Sequence, residues 1–165
     1  MAEELQIVGF RVGQQSFGVP ISVIHEIVRV PEITAVPDSP DFVEGVINLR
    51  GKIVPVVDLR KRFGEKTITR SKKNRILVSE SEGKLVGLIV DAASEVLRIS
   101  ESQIDPPPQV LDHSEVNYVT GLGKLQGRLM ILIDLNKTLQ RGELRRLGEV
   151  SETQAGQTVA GQMPS

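Results

Sequence analysis

Asp58 and Asp134 are the first residues to consider for chemistry, because a pair of carboxylates is common equipment for general acid–base work. Each is followed directly by a leucine and a short helical pattern, so two helix N-caps account for them more simply than catalysis does. His25 and His113, the only histidines, lie far apart and fit no metal-ligand spacing, which reads as surface or loop positions. Cysteine is absent, which excludes disulfides, thiol nucleophiles and Cys-ligated metals. The glycines of "GLGKLQG" (121–127) lack both the spacing and the strand-before, helix-after setting of a phosphate loop. No nucleophile, base and orienting group can be assembled from the serines and threonines. The residues therefore call for no enzyme, no metal and no cofactor.

Arg50 poses a different question. "GVINLRGKIVPVVDL" (45–59) sets Arg50 and Gly51 between two apolar runs, as the turn of a hairpin. A guanidinium exposed on a tight turn suits bidentate recognition of a carboxylate or a backbone carbonyl. Partner contact and an incidental surface charge both remain open on that evidence. The basic run "RSKKNR" (70–75) reads as a solvated connector, since no aromatic residues accompany it for base stacking.

The elements that hold these residues come in two copies. "FGVPISVIHEIVRV" (17–30) aligns without a gap to "VGLIVDAASEVLRI" (86–99), matching Gly18 to Gly87, Glu26 to Glu95 and Arg29 to Arg98. "VEGVINLRGKIVPVVDL" (43–59) aligns to "VTGLGKLQGRLMILIDL" (119–135), matching Gly45 to Gly121 and Gly51 to Gly127. The extra residues of the second copy fall in the proline-rich "IDPPPQVLDHS" (104–114), as expected for a surface loop. Gly51 and Gly127 are expected at positive φ, whereas Arg50 faces Gln126, so the turn itself does not require arginine.

Within each copy the pattern is one of short strands. Residues 5–12 put Val8, Phe10 and Val12 on one face, and a second strand follows near 16–19. Pro20 is expected at the first position of a helical turn through "ISVIHE", and "SPDFVEG" offers a helical turn capped by Ser39 and stopped at Gly45. Strands are expected at 46–49 and 52–57, then a helix "LRKRF" capped by Asp58 and ended by Gly64. Pro55 cannot donate a ladder hydrogen bond and should face an edge or a bulge. About five strands per copy favour small closed barrels packed together, a mainly β fold with short helices. The boundaries read as 1–66 for the first barrel, 67–140 for the second, and 141–165 for a helix end and a disordered tail, with strand exchange between barrels left open. Leu135, Leu139, Leu144 and Leu147 form one face of a C-terminal helix.

Net charge is −1 and aromatics are 3%, which argues against a nucleic-acid binder. The acidic "MAEELQ" start lacks a signal h-region and no apolar run spans a membrane, so a soluble cytoplasmic protein is the default.

The strings "GVINLRGKIVPVVDLRKRFG", "ISVIHEI", "VGLIVDAASEVLRI" and "YVTGLGKLQGRLMILIDLNKTL" together resemble the CheW family of chemotaxis coupling proteins, over roughly residues 5–145. The resemblance implies two SH3-like five-stranded β-barrels. It implies an adaptor joining the cytoplasmic tips of methyl-accepting chemoreceptors to the regulatory domain of the histidine kinase CheA, and supporting arrays that include other CheW copies. The expected place is the cytoplasm, in receptor arrays at the inner face of the membrane, without membrane insertion. Carried over by position, the receptor-facing residues are Ile24, Glu26, Gly45, Arg50 and Val96, with Val110 on a kinase or array surface. The alternatives are an adaptor of a non-flagellar chemosensory pathway and a barrel binding small ligands or oligonucleotides.

Overall fold

The structure, a computed structural model, describes residues 4–39, 43–65, 68–81, 83–107, 118–125 and 127–138. The strands of the first half are β1 (Glu4–Val12), β2 (Gln15–Pro20), β3 (Ile24–Arg29), β4 (Val43–Leu49) and β5 (Lys52–Asp58), followed by the helical turn α1 (Leu59–Arg62). The second half supplies β6 (Arg75–Ser81), β7 (Lys84–Val90), β8 (Ala92–Ser100), β9 (Ile104–Asp105), β10 (Val119–Leu125) and β11 (Arg128–Ile133), then α2 (Leu135–Thr138). They build two sheets, ordered β8-β1-β2-β11-β10-β9 and β3-β6-β7-β5-β4. Each forms one SH3-like barrel of a mainly β fold.

The two copies are interlocked. Hairpin β1–β2 lies in the sheet otherwise built by the second half, and its counterpart β6–β7 lies among β3, β4 and β5. Both insertions close with a short parallel ladder at matched positions: Gly18 beside Leu132 in one sheet, Gly87 beside Val56 in the other. A division at 66/67 therefore runs through both sheets. The inserted hairpins bury Phe10, Phe17, Leu77 and Leu88 in a shared core that neither half could assemble alone.

Three cores explain the near-continuous apolar runs of the sequence. Ile47, Val54, Val56, Ile76, Val78 and Ile89 fill the β3–β7 barrel, and Ile7, Ile99, Met130 and Leu132 fill the other. Neighbouring residues of the same strands, Val8, Val46, Val57, Leu77, Leu88 and Ile133, turn the opposite way into the shared core. A strand places successive side chains on opposite faces, so one buried on both faces is apolar throughout. Phe10, Phe17, Phe63 and Tyr118 form a ladder of rings 5.0–5.7 Å apart that joins β1 and β2 to α1 and to the approach of β10.

Several local expectations need correction. Pro20 caps a 3-10 turn of only Ile21–Val23, because β3 captures the chain from Ile24 onwards. Gly45 stops no helix. It lies inside β4 at a bulge, with φ 150°, where Thr34 crosses the strand and bridges Val46 through bonds of 2.9 and 2.8 Å. An added Cβ there would meet the Thr34 carbonyl oxygen, so Gly45→Ala is expected to lose about 1–3 kcal/mol in urea unfolding. Pro55 is in an interior strand. It sits opposite Val46, whose own amide and carbonyl turn outward to Thr34, and the ladder from β5 to β7 begins one residue later. Its missing donor therefore falls where no partner waits. Asp58 caps α1 as expected, and Gly64 follows it at φ 82°. Of the C-terminal helical face, Leu135 is in α2, while Leu139, Leu144 and Leu147 lie outside the described residues. Among the described residues no helix is long and apolar enough to cross a membrane.

Candidate functional site

The β4–β5 hairpin turns through Arg50 at φ 51° and Gly51 at φ 88°, the mirror-image two-residue turn whose twist matches its strands. Asn48 fixes it by accepting the Gly51 amide at 2.8 Å. Left-handed backbone disfavours a side chain, so arginine at the first of these positions costs stability of order 1 kcal/mol.

The turn carries Arg50 to β3. Its two terminal nitrogens donate to the two carboxylate oxygens of Glu26, both at 2.8 Å. The arginine side chain is 75% exposed and that of Glu26 18%. β3 and β4 are the two edges of their sheet, so the ion pair spans from the β4–β5 tip to the far edge. Leu49 and Val28, next to the pair in sequence, pack against the barrel core beneath. An ion pair this exposed contributes about 0–1 kcal/mol. That does no more than offset the strained backbone, so stability does not explain the arginine.

What the pair does achieve is orientation. A guanidinium has five N–H donors, and Glu26 takes two of them end-on. With the side chain 75% exposed, donors that Glu26 does not take remain open to solvent while the pair holds the group in place. Such a group is ready to receive a carboxylate, a carbonyl or an amide oxygen from another molecule without first losing rotamer freedom.

The other expected residues are placed less uniformly. Ile24 is half-buried at the margin of the shared core, and a bulge separates it from Glu26. Gly45 is held under Thr34, a structural position. Val96 is on β8, the edge of the other sheet, opposite Val8, and is 55% exposed. Its counterpart in the first copy, Ile27, is likewise exposed on β3. The structure thus brings Glu26 and Arg50 together and leaves Val96 on a separate sheet. Val110 lies outside the described residues.

A second charged cluster escaped the sequence reading. Arg60, 5% exposed, clasps Asp58 through Nε–Oδ1 and Nη2–Oδ2, each at 2.9 Å. Its third arm donates to the Thr69 carbonyl at 2.9 Å and reaches Asp91 at 3.3 Å. Asp91 in turn accepts the Gly13 amide at 2.6 Å. The bond to Asp58 is the main reason the guanidinium is held more firmly protonated than usual. A comparison of the two copies could have flagged it, since Asn136 stands where Arg60 would repeat. The Arg60–Asp58 pair is buried, and through it the cluster joins α1, the connector, the β7–β8 turn and the β1–β2 turn, which is an architectural role.

Comparison with known proteins adds the following. The CheW-like domain family matches residues 6–143. The chain is 34% identical over 144 residues to the chemotaxis protein CheW of Klebsiella aerogenes, covering 87% of each. It is 37% identical over 138 residues to the chemotaxis protein CheW of Thermotoga maritima, covering 84% of this chain and 89% of that one. It is 28% identical over 138 residues to the protein FrzA of Myxococcus xanthus, covering 82% and 86%. The crystal structure of the scaffolding protein TtCheW from Thermoanaerobacter tengcongensis superposes with a TM-score of 0.76 at 41% identity, over 84% of this chain and 94% of that one.

Proposed function

The chain belongs to the CheW-like domain family, and from that membership we propose that it is a chemotaxis adaptor that couples chemoreceptors to the histidine kinase CheA. The observation that carries the finer part of this reading is the preoriented Arg50 guanidinium, which gives the fold no net stability yet is aimed outward by Glu26. In this reading the receptor tip meets the face around Arg50, Glu26 and Ile24, with Val96 as a further apolar contact. Val110 and the proline-rich loop face the kinase or neighbouring adaptors in an array on the cytoplasmic side of the membrane.

The mechanism is association without chemistry. Receptor state alters kinase activity only if the adaptor's contacts differ in free energy between the two receptor states. A fixed guanidinium provides such a difference when small displacements of the facing carboxylate or carbonyl make or break its hydrogen bonds. The aromatic ladder weighs against the oligonucleotide-binding alternative, because Phe10 and Phe17 are buried in the shared core and unavailable for base stacking.

The test is reconstitution with cognate receptor fragments and kinase. The chain is expected to co-purify with both and to make autophosphorylation depend on receptor. Failure to retain either protein would remove the coupling role.

A further inference from the structure

We propose that the cationic turn joining the two halves, together with the edge strand β3 beside it, is a docking site for an acidic protein segment. Arg70, Lys72 and Lys73 are exposed on the connector, and Arg75 opens β6 directly opposite Arg29 on β3. Like charges facing each other across a ladder repel, a local cost that an anionic partner would relieve. Among the described residues Arg29, Arg70, Lys72 and Lys73 make no ion pair; single cations such as Lys52 and Lys84 share that property, but these four gather in one turn and the strand end beside it. In a chain of net charge −1, this is a concentration of positive charge left without a counterpart.

The turn is also shaped in advance. Buried Asn74 accepts the Ser71 amide at 3.0 Å and donates to the Asp91 carbonyl at 3.1 Å, tying the connector to the Arg60 cluster. The Ser71 hydroxyl accepts the Lys73 amide at 3.1 Å, and Arg75 donates to the carbonyls of Lys72 and Asn74, both at 2.8 Å. Ordering of the loop is therefore complete before a partner arrives, which lowers the cost of binding.

Shape and chemistry select the occupant. β3 ends its sheet, and Ile27, 36% exposed, shares a face with Arg29 two residues on. An extended segment laid along that edge would set an apolar side chain on Ile27 and a carboxylate beside Arg29 at the period-two spacing of a strand. No Phe, Tyr or Trp lies in β3 or between 68 and 75, so this surface offers no large ring platform for successive nucleobases. The proposal does not rest on the adaptor reading, and its test contains neither kinase nor receptor.

The experiment titrates the full chain into a labelled synthetic peptide, Glu-Thr-Val-Thr-Glu flanked by Gly-Ser, whose valine and glutamates share one face in either strand direction, and follows fluorescence anisotropy across a salt series. Saturable binding that weakens with salt is expected, and the glutamine version of the peptide should not bind. Lys73→Glu and Arg29→Glu should each weaken binding by about fivefold or more. Lys84→Glu, the same charge change at the far end of the β6–β7 hairpin, should leave it unaltered, with unfolding curves showing all variants folded. Absence of saturable binding, an equal loss from Lys84→Glu, or tighter binding of a labelled oligothymidylate than of the peptide would each overturn the proposal.

Discussion

Arg60→Ala is expected to destabilise the protein by about 3–5 kcal/mol, close to the limit of what a single substitution does. The substitution strands the Asp58 carboxylate, 4% exposed, with both oxygens stripped of their guanidinium partner. It also removes the donor to Thr69 and the cation facing Asp91. Burying an unpaired carboxylate is far more costly than the modest net gain of a buried pair, because desolvation is then uncompensated. The same argument predicts partial rescue by Asp58→Asn in the Arg60→Ala background, since a neutral amide is cheaper to bury and still offers a capping oxygen to α1. Urea unfolding of the wild type, the single variant and the double variant measures all three. A loss below about 1 kcal/mol would mean that water replaces the guanidinium at little cost, and the cluster would lose its architectural standing.

Receptor coupling should respond most to Arg50, and the response should depend on Glu26. Arg50→Ala is expected to leave the unfolding free energy within about 0.5 kcal/mol of the wild type, because the pair is exposed and the turn keeps Gly51 and Asn48. Receptor affinity should fall by about 2 kcal/mol, roughly 30-fold, the scale of an arginine at the centre of an interface. Glu26→Ala frees the guanidinium to wander, which by itself should cost about 1 kcal/mol, roughly fivefold. The decisive quantity is the double variant. If Glu26 acts by positioning Arg50, the double variant binds like Arg50→Ala alone. Strict additivity would show that Glu26 meets the receptor on its own account, and unchanged affinity in Arg50→Ala would take the arginine off the interface.

The comparison of the two copies was a sound guide where the reason for a residue is local. Gly51 and Gly127 sit at φ 88° and 78°, as two-residue hairpin turns demand. Asp58 caps the helical turn one residue later, through a bond spanning two positions. The same comparison separated Arg50 from the needs of its turn, and the structure adds that its partner is Glu26, 24 residues earlier. It also weakened Glu26 as a functional residue, because Glu95 repeats it, yet Glu26 has a specific charged partner in the arginine that only the first copy has. A repeated residue can be given a new task by a neighbour that is not repeated.

Sequence alone was sufficient for the duplication, the strand-rich composition, the turn glycines and the cap of α1. Each of these is set by torsional preference or by side-chain periodicity over a few residues, so the information lies within a short window. Only the tertiary structure decided that the hairpins change places between barrels, that Gly45 yields to Thr34, and that Arg60 is a buried clasp. The clasp and the seating of the β1–β2 turn rest on contacts across 31 and 78 residues, Arg60 with Asp91 and Gly13 with Asp91, and the fate of Gly45 rests on the bridge from Thr34 to Val46. Hairpins carrying equivalent apolar faces fit either sheet by pattern. The choice between them falls to the packing of a core shared by both halves, which no local preference encodes.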